Sequence, residues 1–186
     1  LIVQGELQIL GAPNDPVRLS SMGTSNWKGI FLDSSRRPNK ISHCTISNAE
    51  FGFRASQSDV SIHNSQFQNN IWGIVVEESS AKLSNSLIRT SIKSGIAARQ
   101  AQLFVNNCVI TENSSGGFLL ESSKAQIKQN NILNNGGWEI KVLDKKGQVN
   151  ASKNWWGNED PAQKEIIGSV AINPPLNSPI KFNVIE

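Results

Sequence analysis

An apolar tetrad returns six times in this chain: Gly29-Ile30-Phe31-Leu32, Gly52-Phe53-Arg54-Ala55, Gly73-Ile74-Val75-Val76, Gly95-Ile96-Ala97-Ala98, Gly117-Phe118-Leu119-Leu120 and Glu139-Ile140-Lys141-Val142. The steps are 23, 21, 22, 22 and 22 residues. A period of this length marks stacked repeats, in which no unit can bury its own apolar face and each must lie against its neighbours. The rhythm has no composition break, so a single domain is expected over residues 1–186: an N-terminal coil at 1–26, regular coils at 27–157 and a C-terminal cap at 158–186.

Side chains two apart on a strand share a face. Ile30 and Leu32, Phe53 and Ala55, Ile74 and Val76, and their equivalents up to Ile140 and Val142 therefore form one inward column pair. A second follows in Val60 and Ile62, Ala81 and Leu83, Leu103 and Val105, Ala125 and Ile127, Val149 and Ala151. A third apolar column, Ile46, Phe67, Ile88, Ile110, Ile132 and Trp156, lies five residues beyond the second. Five is odd, so a straight strand would put the two columns on opposite faces; burying both requires a corner between them. The corner is occupied by Cys44, Ser65, Ser86, Cys108, Asn130 and Asn154, all small or hydrogen-bonding.

Three short strands per repeat, each followed one repeat later by its own equivalent, describe an all-β solenoid, a right-handed single-stranded parallel β-helix of about seven coils rising ~4.8 Å each. The coil itself returns the chain to a parallel neighbour, which removes the need for helical crossovers. The 24 Ser and 21 Asn also argue against long helices. Cys44 and Cys108 share a column three coils apart, about 14 Å at that rise, beyond disulfide reach, and are expected as free buried thiols. His43 and His63 stand on different rungs without converging partners, so neither a metal nor a cofactor is expected.

The net charge of +3 is small and the Lys and Arg residues are scattered, which disfavours a nucleic-acid partner. No apolar run has the ~18 residues needed for membrane insertion. The segment Leu1–Ser21, with Ile2, Leu7, Ile9, Val17 and Leu19, is expected to add one coil, and its abrupt beginning suggests a mature form or a fragment. At the other end, Trp155 and Trp156 are expected to cover the open core, followed by a short helix from Ala162 to Ile167 and by Pro174, Pro175 and Pro179, which block a further strand ladder.

Segments such as Asn64-Ser65-Gln66-Phe67-Gln68-Asn69-Asn70-Ile71-Trp72-Gly73-Ile74 and Asn130-Asn131-Ile132-Leu133-Asn134-Asn135, with the terminal Asn154-Trp155-Trp156-Gly157, resemble the parallel β-helix proteins of the pectin-lyase-like superfamily, especially bacterial extracytoplasmic members. The resemblance covers nearly the whole chain and implies a periplasmic, cell-surface or secreted location. It is silent on activity, because the superfamily holds lyases, hydrolases, epimerases and non-catalytic surface domains.

Two outward columns carry the candidate site. Asp33, Ser56, Glu77, Arg99, Glu121 and Leu143 follow the first strand, and Glu77, Arg99 and Glu121 are the one catalytic candidate set. Alternating charges on adjacent rungs form a self-neutralising ladder, and the two carboxylates stand two rungs, ~9.6 Å, apart. A carboxyl held ionised by Arg99 is a poor general acid. The column Phe31, Arg54, Val75, Ala97, Leu119 and Lys141 is apolar in its middle and is the expected binding face. Its expected occupant is a protein partner, a second copy of the chain or a polysaccharide. The near-constant period leaves no insertions to wall an active-site groove, so the expected role is a non-catalytic module for protein assembly or glycan binding. A carbohydrate-active enzyme, or a fragment of one, is the rival.

Overall fold

The expected columns exist, and register pairing stacks them. A computed structural model describes residues 1–157 and 165–182. Ile30, Phe53, Ile74, Ile96, Phe118 and Ile140 pair in sequence through adjacent parallel strands. Val60, Ala81, Leu103, Ala125 and Val149 do the same on a second sheet, and Ile46, Phe67, Ile88, Ile110 and Ile132 on a third.

The first sheet has eight strands, from Ile2–Val3 through Trp27–Asp33, Ala49–Ser56, Trp72–Glu77, Ser94–Arg99, Gly116–Glu121 and Ile140–Val142 to Ile166–Ile167. The second also has eight, from Gln8–Leu10 to Val170–Ala171, and the third six, from Val17–Leu19 to Asn131–Leu133. Every pairing between named strands is parallel and joins one turn to the next. Six turns thus carry all three strands, against the seven expected; the last two turns contribute to the first two sheets only. One core runs through the coil from Leu7 to Trp156, and Phe53, Phe67 and Phe118 are fully buried in it. Each contributes on the order of 2–3 kcal/mol of hydrophobic stabilisation.

Each turn closes through three corners of one construction. A non-glycine residue at positive φ, between 48° and 59°, precedes a small or amide side chain, and at most corners the oxygen of that side chain accepts the backbone N–H of the turn before. At the corner expected from the sequence, Cys44 N–H donates to Ser65 Oγ (3.3 Å), Ser65 N–H to Ser86 Oγ (3.2 Å), Cys108 N–H to Asn130 Oδ1 (2.9 Å) and Asn130 N–H to Asn154 Oδ1 (2.9 Å). A second ladder runs from Ser35 to Ser58 and Ser79, and the third corner has two runs, Ala49 to Asn70 and then Ser91 to Asn113 and Asn135, with no bond between Asn70 and the Ser91 hydroxyl. These bonds satisfy buried amides that the strand ladders leave open at the bends. Both cysteines are free and buried, as their spacing requires.

Two expectations at the ends change. Ile2 pairs with Phe31 and faces outward, 69% exposed, while Val3 packs against the core. Ile166 and Ile167, the end of the expected helix, form a strand on the first sheet, and residues 162–164 of that helix lie outside the described residues, as do 158–161 and 183–186 of the cap. Trp156 is buried in the core, and Trp155 bridges Asn131. Beyond Ala171 no strand forms among the described residues. The chain folds back so that Ile180 N–H donates to Asn131 Oδ1 (2.9 Å) and Asn131 Nδ2 donates to the Ile180 carbonyl (3.2 Å).

Candidate functional site

The first sheet carries both candidate sets side by side. Register places Phe31, Arg54, Val75, Ala97, Leu119 and Lys141 in one outward column, extended by Ile2 below and Ile167 above. The neighbouring column is Asp33, Ser56, Glu77, Arg99 and Glu121. Over the first column runs a groove of about 370 Å3. Val75, Ala97 and Leu119 form its floor, Glu77, Arg99 and Glu121 one wall, and Phe51 and Trp72 the other, with Arg54 and Leu143 at its ends. Phe31 and Lys141 stand outside the lining. Phe31 supports the Arg54 guanidinium at 4.9 Å, and the Lys141 ammonium sits 4.7 Å from the centre of the Trp138 ring.

The strip is less bare than its sequence suggests: Ala97 is buried, and Val75 and Leu119 are half-buried. The walls responsible are side chains and not loop insertions. Phe51 and Trp72 pair in register and share parity with the inward Phe53 and Ile74, which is why alternation alone does not place them outside. The break lies at the intervening glycines. Gly52 and Phe53 are consecutive and both buried, so the chain bends there and Phe51 turns outward. A Cβ on Gly52 would lie 2.6 Å from the Gly73 carbonyl and 2.7 Å from Asn70 Nδ2, an approach only glycine permits. The tetrad glycine was therefore the available signal for the aromatic wall.

The charged wall is asymmetric. Arg54 donates through Nε (2.8 Å) and Nη2 (2.6 Å) to Glu77 Oε2, and Arg99 Nη2 donates to Glu77 Oε1 at 3.2 Å. Arg99 reaches Glu77 and not Glu121, which makes no ion pair among the described residues. Burial by itself would raise the Glu77 carboxyl; the hydrogen bonds and charges of Arg54 and Arg99 outweigh it and hold the group below its ordinary value. Glu77 is thus a fixed anion shared by two cations, suited to holding shape and unsuited to donating a proton.

Three stacked parallel sheets closed by side-chain ladders define a parallel β-helix repeat protein. Within that class the chain belongs to the family described as periplasmic copper-binding protein (NosD), whose family model matches residues 7–166. Comparison with curated proteins and with solved structures gives no match. The family places the chain outside the cytoplasm, and no helix among the described residues is long and apolar enough to cross a membrane.

The family's description implies copper, and the donors of this chain do not fit it. Copper favours thiolate, thioether and imidazole ligands, and the whole sequence offers Cys44, Cys108, Met22, His43 and His63. Both thiols are sealed in the core, where burial pushes them up to about 12. Met22 is fully exposed. His63 Nδ1 is engaged by Ser84 Oγ at 2.6 Å and His43 Nε2 by Asn64 Nδ2 at 3.3 Å. No three His, Cys, Asp or Glu side chains converge among the described residues.

Proposed function

We propose that this chain is a non-catalytic extracytoplasmic module that holds a glycan in the groove of its first sheet. The observation that carries this reading is the pairing, across one apolar floor, of an aromatic wall (Phe51, Trp72) with a hydrogen-bonding wall (Glu77, Arg99, Glu121). A sugar ring has the matching anatomy: a C–H face that stacks on aromatic rings and a rim of hydroxyls that pair with carboxylate and guanidinium. The groove's volume falls within the range of small-ligand sites. Titration calorimetry with hexasaccharides tests the reading. Binding that Trp72→Ala and Leu119→Arg each weaken by about tenfold or more supports it; binding indifferent to both refutes it.

The absence of catalysis rests on Glu77. Held ionised by two arginines, it is a poor general acid, and Glu121 stands two rungs away. Turnover of a polysaccharide by the unmodified protein, lost in Glu77→Gln or Glu121→Gln, would establish the enzyme reading instead. One observation favours a protein partner or a second copy: the outward column continues past the groove into exposed Ile2 and Ile167. Sedimentation analysis that finds an oligomer disrupted by Leu119→Arg would transfer the face to that role.

A further inference from the structure

We infer, building on the glycan reading above, that the groove selects uncharged sugars over uronates. The charges that line it sum to zero: Arg54 and Arg99 against Glu77 and Glu121. The balance is not free to rearrange around an incoming anion. Arg54 spends two nitrogens on Glu77, and its guanidinium is flanked by the Phe31 and Phe51 rings at 4.9 and 5.5 Å. Arg99 turns toward the same carboxylate, so both oxygens of Glu77 are occupied by cations. The Lys141 ammonium is held over Trp138, outside the lining.

What the groove presents to a ligand is therefore Glu121, a carboxylate in its wall with no ion pair among the described residues, and the unused N–H donors of Arg99. Hydroxyls satisfy both, donating to Glu121 and accepting from Arg99. A uronate carboxylate satisfies neither without cost. Beside Glu121 it meets a like charge, and the guanidinium donors it can reach belong to cations whose charge Glu77 already neutralises. Polarity without net charge, in front of aromatic rings, is the signature of a neutral glycan site.

Titration calorimetry at low ionic strength decides the point, with xylohexaose, cellohexaose and chitohexaose as neutral probes and hexagalacturonate and hexamannuronate as acidic ones. The best neutral hexamer is expected to bind at least about tenfold more tightly than either uronate. Glu77→Gln releases Arg54 and Arg99 and is expected to shift the uronate-to-neutral affinity ratio by about tenfold toward uronate. Glu121→Gln removes the repelling acid and shifts the ratio the same way; since Glu121 holds no ion pair among the described residues, this variant keeps the test alive should Glu77→Gln fail to fold. Uronate binding that equals or exceeds neutral binding in the unmodified protein, or a ratio unmoved by the folded variants, overturns the inference and leaves the glycan reading standing. Failure of every hexamer to bind, or binding that neither Trp72→Ala nor Leu119→Arg weakens, overturns both.

Discussion

Replacing Asn130 by alanine should cost about 3 kcal/mol, and the figure follows from what its amide holds. The side chain is fully buried. Its Oδ1 accepts the Cys108 N–H at 2.9 Å, and its Nδ2 donates to the carbonyls of Val105 and Lys128 and to Asn154 Oδ1, each at 3.0 Å. Alanine leaves a buried Cys108 N–H with no acceptor, at about 1–3 kcal/mol, and strips carbonyl partners worth about 1 kcal/mol more. Asn154 Oδ1 keeps the Asn130 N–H at 2.9 Å, so the turn above is spared. Serine is the discriminating control, because Ser65 and Ser86 hold the same corner on lower rungs. Asn130→Ser retains an acceptor for Cys108 and should cost about half as much. Urea unfolding followed by tryptophan fluorescence gives the totals, and hydrogen exchange at the Cys108 amide gives the local effect. Equal losses in the two variants, or unchanged Cys108 protection in Asn130→Ala, would refute the ladder argument.

Four more predictions concern the same architecture. Gly95→Ala should destabilise by about 2 kcal/mol by overpacking, since its Cβ would lie 2.7 Å from Asn113 Nδ2, whose amide is tied to Asn135 and Ile88; by contrast Gln129→Gly, relieving φ of 57°, should stabilise by about 0.5 kcal/mol, both read from urea midpoints. The Glu77 carboxyl lies below its ordinary 4.5 in the folded chain, so its contribution is full above that value and disappears as pH falls through the lower folded value. The stability advantage of the unmodified protein over Glu77→Gln, measured by urea unfolding across a pH series, should therefore shrink on acidification; an advantage that grows would contradict the two-arginine clamp. Neither cysteine should react with an aromatic disulfide reagent at pH 8 until the chain is unfolded, when both should, because burial raises both thiols to about 12.

Columns with one parity were legible because a two-residue strand period and a constant repeat leave a single way to bury Ile74, Ile96 and Phe118 together. The corner at Cys44 and Asn130 could be located because an odd spacing demanded it. The other two corners were not, since Ser58, Ser79, Asn70 and Asn113 lie among many other Ser and Asn residues with no apolar column offset to single them out. Charge pairing was only half accessible. Register on adjacent rungs makes Arg99 equidistant in principle from Glu77 and Glu121; that it turns to Glu77, and that Arg54 of the neighbouring column reaches across to the same carboxylate, are side-chain placements that register does not encode. The groove escaped sequence reasoning because its aromatic wall depends on a backbone bend at Gly52 and not on alternation.

The corner ladders point one way along the rod. In each, the amide belongs to the earlier turn and the oxygen that satisfies it to the later one, as in Ser35 to Ser58, Ser91 to Asn113 and Cys108 to Asn130. A chain delivered N-terminus first across a membrane would thus hold its newest coil incomplete until the following one emerges, and maturation would trail translocation by one repeat. Truncation is correspondingly polar. Loss of leading turns leaves oxygens that water can solvate, whereas loss of trailing turns strips acceptors from amides already paired, such as Lys153 N–H, whose acceptor is the Pro174 carbonyl.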